Sequence, residues 1–203
     1  EVLERVTVGG AGRDLGADYR LLNVKFKPWP CSGVVHPFVK AALELGTVAP
    51  DAVRAIRLRG GPRTKHWFEP EEVRRRPPDT TSAANSIFYG VARALANGRL
   101  GLDDYTARAV AEPAPLVDIM HYSLEEVDGS GATIEFELRD GHTRRAHVDE
   151  AADKQAGVMS EDDLVRKFMD CARFAAQPLD AARIAETVLD LENQSDISRL
   201  LCS

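Results

Sequence analysis

The hydrophobic pattern of this chain changes once, from strand-like to helical, and this change limits its possible folds more than any other feature. Asp-Gly sequences, which favour hairpin turns, join three segments that we predict to be strands, residues 117–127, 132–138 and 143–148. From Ser160 onward apolar residues recur at helical spacing, and Ser160 with Asp163 resembles a capping box. The sequence therefore predicts an α+β fold, with a small mixed α/β unit that ends near residue 155 and a helical C-terminal tail.

Segment 52–59 alternates apolar and arginine side chains, which predicts a half-buried strand that shows its arginines to solvent. Gly46 is expected to end a helix that begins near residue 35, and Gly98 to end a longer one. The other predicted elements are a strand at 21–26, an irregular loop at 61–80, and helices at 82–97, 103–110, 180–191 and 196–201. The helical tail has an apolar face, which must pack on another surface.

Composition excludes several classes of protein. No apolar run approaches the roughly 18 residues that a membrane span requires, and no signal peptide is visible. The three cysteines are widely spaced and form no Cys-x-x-Cys pair, which argues against a disulfide framework and against a zinc site. We therefore expect a cytoplasmic protein with reduced thiols, no metal and no membrane partner. The lack of an initial methionine suggests a processed chain or a piece of a longer one.

The two halves of the chain carry opposite charge. Residues 1–100 hold 16 lysines and arginines against 10 acidic residues, a net +6, whereas residues 101–203 hold 10 against 22, a net −12. Nucleic acid is one partner that a basic segment can have, but aromatic residues are not interleaved with these charges. A small anionic ligand explains the basic half at least as well, so we predict no nucleic-acid partner.

A lysine and a histidine flank a stiff, proline-containing segment. Pro28 and Pro30 restrict the backbone after Lys27, and Pro37 suits the first turn of a helix, which places His36 near the N-cap. The unpaired backbone N–H groups at a helix N-terminus attract anions. Lys27 and His36 therefore suit a carboxylate ligand, and the alternative is a surface lysine with a capping histidine.

The helix predicted at 82–97 has a polar face opposite its apolar stripe. At steps of three and four residues this face carries Ser82, Asn85, Ser86, Tyr89 and Arg93. Solvation alone explains such a face, although tyrosine is an unusual choice for it. The other explanation is a polar pocket in which Tyr89 donates a hydrogen bond or carries a proton.

These two clusters resemble motifs of the MmgE/PrpD family, which includes 2-methylcitrate dehydratases, cis-aconitate decarboxylases and iminodisuccinate epimerases. Residues 26–36 resemble its K-x-[YF]-P-x-C-x(4)-H region, and residues 79–98 its A-x-F-S-x-x-Y-x-x-A-x-A-L-x-x-G helix. Residues 159–168 and 189–192 are similar to its closing L-S-x-x-E-L-x-x-K-F and L-E segments. Order and spacing agree from about residue 15 to residue 201.

The resemblance implies a large helical domain, a smaller α+β lid, and an active site in the cleft between them. The resemblance implies that residues 1–22 are an N-terminal connector that precedes the lid. Residues 23–155 would be the lid, and residues 156–203 the last helices of the helical domain. Family members need no cofactor, because a proton leaves the carbon next to a carboxylate and dehydration, decarboxylation or epimerisation follows. The implied partners are a di- or tricarboxylate, an N-terminal helical domain or subunit, and a second copy in a homodimer.

The resemblance also assigns roles to single residues. The catalytic residues would be Lys27, His36 and Tyr89. The residues that bind substrate would be Cys31, Ser32 and Ser86. The chain departs from the family pattern where Trp29 replaces tyrosine or phenylalanine and Asn85 replaces a common phenylalanine. Some decarboxylating members have histidine at the position of Ser32, so decarboxylation is less favoured here.

We therefore predict the C-terminal, lid-bearing part of a lyase or isomerase of this family, with dehydration favoured over epimerisation and decarboxylation. The family's helical domain, which supplies further acids and bases, is not represented in the sequence, so the chain alone is expected to be a poor catalyst. A non-catalytic binding or assembly module that keeps the lid fold is the alternative. A nucleic-acid-binding α+β domain is the third hypothesis.

Overall fold

The computed structural model describes residues 24, 26–125, 131–149, 159–176 and 179–198, and it confirms an α+β fold. One sheet contains four strands, β1 (Val53–Gly60), β2 (Met120–Leu124), β3 (Ala132–Leu138) and β4 (Thr143–Val148), in the order β2-β1-β3-β4. β1 is parallel to β2 and antiparallel to β3, and β3 is antiparallel to β4. The strand predicted at 21–26 lies mostly outside the described residues, and its two described positions, 24 and 26, are not in a strand.

The helices fall into three groups along the chain. Helix α1 (His36–Leu45) precedes the sheet, and five helices lie between β1 and β2: α2 (Lys65–Phe68), α3 (Glu71–Arg75), α4 (Thr80–Ala84), α5 (Ile87–Asn97) and α6 (Ala107–Ala111). Helices α7 (Glu161–Ala175) and α8 (Ala181–Leu189) follow the sheet. Short 3-10 turns occur at Pro50–Ala52, Pro62–Thr64, Leu102–Tyr105, Val117–Ile119 and Leu191–Asn193.

Three predictions between β1 and β2 were wrong in whole or in part. The segment predicted as an irregular loop, residues 61–80, contains α2 and α3. The helix predicted at 82–97 is two helices, because the backbone of Ser86 is extended and its hydroxyl caps α5 by accepting the N–H of Tyr89 at 3.0 Å. The apolar spacing runs through this break, so periodicity alone did not reveal it. The segment 103–110 is likewise a 3-10 turn followed by α6.

Strand pairing follows the predicted turns only in part. Asp140-Gly141 closes the β3–β4 hairpin, and Gly141 has a positive φ of 89°, which favours glycine. β2 and β3 do not form a hairpin, since β1 lies between them and pairs with both. The strand predicted at 117–127 begins as a 3-10 turn and becomes β2 only at Met120.

The core lies between α1, α5 and one face of the sheet. Its fully buried side chains include Phe38, Ile56, Phe88, Ile134 and Phe136. The opposite face of β1 carries arginines, as its alternation predicted, and these pair with glutamates of β3, for example Arg57 with Glu137 at 3.1 Å. One face of the sheet is therefore dry and the other charged.

Helices α7 and α8 pack on each other, and α7 contacts the α+β unit at the turn Leu102–Tyr105. Ser160 and Asp163 form the predicted capping box at the start of α7. Within these two fully described helices no residue is buried, and apolar side chains such as Phe174, Val188 and Leu189 are about half exposed. The helix predicted at 196–201 is outside the description beyond residue 198, and residues 196–198 are not α-helical. None of the described helices has the length and apolarity that crossing a membrane requires.

Candidate functional site

A cleft of about 1270 Å³ separates helix α7 from the α+β unit. One wall is the connector segment, defined here as residues 27–35, of which residues 27–32 line the cleft. The loop at residues 98–103 and the α4–α5 break at Ala84 and Asn85 extend this wall. The other wall is one face of α7, with residues that recur at steps of three and four: Asp163, Arg166, Lys167, Asp170, Cys171 and Phe174.

The connector segment is tightly folded rather than extended. The Cys31 N–H donates to the Trp29 carbonyl at 2.9 Å, and this turn brings the ammonium of Lys27 to 3.3 Å from the Cys31 carbonyl. Lys27 is otherwise exposed at the cleft. Its ammonium has three donors, of which one is used here, so it can also bind a carboxylate.

Ser32 and His36 anchor the connector segment to the α+β unit. The Ser32 N–H donates to the Ala84 carbonyl at 2.9 Å, and its hydroxyl accepts the indole N–H of Trp67 at 2.8 Å. His36 is the first residue of α1, as Pro37 predicted, and its ring makes an edge contact with Trp29 at 5.4 Å between centroids. Ser32 lines the cleft, whereas His36 lies behind Trp29 and does not line it.

The thiol of Cys31 is buried at the edge of the cleft. Burial raises its pKa from 9.0 to about 12, although the nearby Tyr105 hydroxyl and Lys27 ammonium oppose this shift. At neutral pH the group is therefore a thiol, which is a poor nucleophile and a poor base. The Tyr105 hydroxyl beside it is buried and makes no conventional hydrogen bond with the described residues.

Tyr89 and Ser86 do not line this cleft. Tyr89 is 1% exposed, and its hydroxyl donates to the Asp104 carbonyl, which ties α5 to the turn Leu102–Tyr105. Burial raises its pKa, so the phenol stays protonated. Ser86 is fully buried, donates to the Arg74 carbonyl and caps α5. The catalytic role of Tyr89 and the substrate contact of Ser86 stay predictions, and their observed bonds are structural.

Charge in the cleft is unevenly paired. Five cations and three carboxylates line it, a net charge of +2. Three arginines pair with nearby aspartates: Arg99 with Asp103 at 2.7 Å, Arg166 with Asp163, and Arg173 with Asp170. The hydrogen bond that Arg99 donates to the Asp103 carboxylate raises the pKa of Arg99, and the charge of Asp170 on α7 adds to this effect from the opposite wall. The excess positive charge belongs to Lys27 and Lys167.

Sequence reasoning missed the wall that α7 contributes. Arg99 and Lys167 were not candidates for the site, although the polar face of α7 could be recognised from its spacing. Among the described residues no group of three histidine, cysteine or acidic side chains could hold a metal ion. The ammonium groups of Lys27 and Lys167 can bind an anion in the cleft.

Comparison with the models of known protein families identifies one that the chain fits. The chain fits the family model of the MmgE/PrpD C-terminal domain over residues 29–193, which is most of its length. This range includes the connector segment from Trp29 onward, helix α5, the sheet, α7 and α8. No curated protein matches the chain.

Proposed function

Because the chain belongs to the MmgE/PrpD family, we propose that it is the lid-bearing part of an enzyme that acts on a di- or tricarboxylate. The reaction is proton abstraction from the carbon next to a carboxylate, and it needs no cofactor. Dehydration is the favoured outcome, with epimerisation and decarboxylation as the others.

The observation that carries this proposal is Lys27 at the edge of a cleft with a net charge of +2. The connector segment holds its ammonium beside the Cys31 carbonyl, with donors left for a ligand. A carboxylate bound there exchanges some of its water for a charge-assisted hydrogen bond. The ligand class follows from this group, since an ammonium in a positive cleft selects anions over neutral molecules.

The same contact supports the chemistry. When a base removes the proton, the electron pair of the C–H bond moves onto the carboxylate, and the ammonium stabilises this growing charge more than it stabilises the substrate. In dehydration this electron pair then forms the C=C bond, the C–O bond of the hydroxyl group on the adjacent carbon breaks, and the leaving group takes a proton from an acid to become water. His36 is the base or acid that the resemblance assigns, and Cys31 and Ser32 are the substrate contacts that it assigns beside Lys27.

A helical domain and a second copy are part of the proposal. The half-exposed apolar side chains of α8 and of the turn after it, including Val188, Leu189 and Leu191, suit packing against further helices. The acids and bases of such a domain would complete the site, and a homodimer in the cytoplasm is the proposed assembly.

Ligand binding tests the proposal directly. We expect citrate, methylcitrate, cis-aconitate or iminodisuccinate to raise the melting temperature of the chain, and propionate to raise it less. Lys27→Ala should remove most of the effect. Lys65→Ala is the matched control, because Lys65 is an exposed lysine on α2 that pairs with Glu69 at 3.7 Å and does not line the cleft. Absence of any polycarboxylate effect in the unaltered chain would contradict the proposal.

Proton abstraction is tested after a family helical domain is added. NMR in deuterated water would detect loss of the substrate's α-proton signal whichever product forms. We expect the α-proton of the substrate to exchange for deuterium in the presence of the unaltered chain, and to exchange little in the presence of Lys27→Ala. Equal exchange in both would show that Lys27 is not a catalytic residue.

A non-catalytic binding or assembly module is the second candidate function. The burial of Tyr89 favours it, since the hydroxyl that the family motif offers for chemistry is bonded to the Asp104 carbonyl. Binding of a polycarboxylate with no exchange of its α-proton, in the presence of the helical domain, would support this alternative.

A further inference from the structure

We propose that Lys167 of α7 is a second cation of the ligand site, and that one polycarboxylate bridges the ammonium groups of Lys27 and Lys167. This inference rests on the carboxylate ligand proposed above and deepens it. It names the residue on the far wall of the cleft, and it gives a reason for preferring two carboxylates over one.

The arginines of the cleft are already satisfied within their own segments. Arg166 and Asp163 pair one turn apart on α7, and so do Arg173 and Asp170. Across the cleft Arg99 and Asp103 pair at 2.7 Å within one loop. Each guanidinium is held by a carboxylate three or four residues away, so an incoming anion would have to compete with it.

The lysines differ from these arginines. Of the cations that line the cleft in the described part of the chain, Lys27 and Lys167 have no carboxylate within ion-pair distance. Lys27 donates to the Cys31 carbonyl, which leaves its charge uncompensated. A ligand that binds these two ammonium groups breaks no ion pair.

The position of Lys167 supports a role in the cleft. Its side chain is half-buried, whereas the neighbouring Arg166 and Asp170 are exposed. It lies on the face of α7 that lines the cleft, four residues from Asp163 and four from Cys171. A half-buried lysine can cover its aliphatic stem and keep its ammonium in contact with water.

The two lysines lie on opposite walls of the cleft, and this explains a preference for polycarboxylates. A monocarboxylate compensates one ammonium and leaves the other, whereas citrate has enough carboxylates for both. Loss of either lysine should therefore weaken the binding of citrate far more than it weakens the binding of propionate. A charge-assisted hydrogen bond of ordinary strength corresponds to roughly a tenfold change in affinity.

Calorimetric titration of the unaltered chain with citrate and with propionate tests this assignment. We expect Lys167→Ala and Lys27→Ala each to weaken citrate by about tenfold. Lys167→Arg should retain most of the affinity, because it keeps the charge, and Lys65→Ala should bind as the unaltered chain does. Lys167→Gln, which removes the charge but keeps a polar side chain only one atom shorter, replaces the alanine variant if circular dichroism shows that the latter is misfolded.

The outcomes separate this inference from the proposed function. If Lys27→Ala weakens citrate and Lys167→Ala does not, Lys167 is not part of the site, while the proposed function stands. If Lys65→Ala weakens the binding of citrate as much as Lys167→Ala does, only the net charge of the protein matters. The assignment of Lys167 to the site is then overturned. If the unaltered chain binds neither citrate nor any other polycarboxylate of the screen, the proposed function fails and this inference fails with it.

Discussion

Replacing Tyr89 by phenylalanine separates a structural role of this residue from a chemical one. The hydroxyl is buried and donates to the Asp104 carbonyl, so its removal leaves that carbonyl without this bond. When a buried hydrogen bond is lost and its acceptor stays buried without a donor, the free energy of unfolding falls by about 1–3 kcal/mol. For a chain of this length, roughly 3 °C in melting temperature corresponds to each kcal/mol, so we expect a decrease of about 3–9 °C.

Tyr105 offers a matched control for this substitution. Its ring lies 5.7 Å from that of Tyr89, and its buried hydroxyl makes no conventional hydrogen bond among the described residues. Tyr105→Phe should therefore cost less than Tyr89→Phe, because it gives up only the contact of the hydroxyl with the Cys31 thiol and leaves no backbone carbonyl without its donor. Urea denaturation of both variants beside the unaltered chain measures the difference.

The same variants test the structural explanation at the cleft. The bond from Tyr89 holds the turn Leu102–Tyr105, which contributes Leu102 and Asp103 to the cleft wall. We expect Tyr89→Phe to weaken citrate binding by less than Lys27→Ala does. An unchanged stability of Tyr89→Phe, or an equal loss in Tyr105→Phe, would refute this reasoning. Loss of turnover at unchanged stability would instead support the chemical role that the family motif implies.

Two further substitutions test the buried thiol and the close packing beside β1. The unfolded Cys31 thiol ionises near pH 9 and the folded one only near pH 12, so stability should fall by about 1.4 kcal/mol per pH unit between them. Urea denaturation at several alkaline pH values should show a shallower fall in Cys31→Ala and an unchanged one in Cys171→Ala, whose thiol is exposed. Gly60→Ala should cost about 1–3 kcal/mol, because its Cβ would lie 2.8 Å from Cζ of the buried Phe38. Gly33→Ala meets nothing within 4 Å and should be nearly neutral in the same assay.

The strand β1 shows how far local sequence patterns reach. Its alternation of apolar and arginine residues predicted the strand and the exposed face correctly, because a strand places successive side chains on opposite faces. The same pattern contains nothing about which strands pair with β1. Its partners come 60 or more residues later, and β2 and β3 lie on either side of it through tertiary packing. Strand order was therefore beyond the reach of local patterns.

The polar face predicted around Tyr89 shows a different limit. The helical spacing was correct on each side of Ser86, but the helix is interrupted where Ser86 is extended and caps α5. Residues before the break, such as Asn85, line the cleft, while Ser86 and Tyr89 are buried. The signal for this break was Ser86 itself, because serine is a favoured N-cap residue. Its hydroxyl accepts a hydrogen bond from the backbone N–H of Tyr89, three positions later.

The net charge of each half of the chain is a poor guide to the electrostatic potential that a ligand meets in the cleft. The second half of the chain carries −12, yet α7, which belongs to it, contributes Arg166, Lys167 and Arg173 to the cleft wall. Charges beyond roughly 8–10 Å are screened at ordinary salt, so the pairs within each wall decide the local field. Two of the three carboxylates on this surface belong to α7, and each pairs with an arginine on the same helix. Attraction for an anion therefore depends on which cations lack a neighbouring carboxylate, and a count over the whole chain does not contain that information.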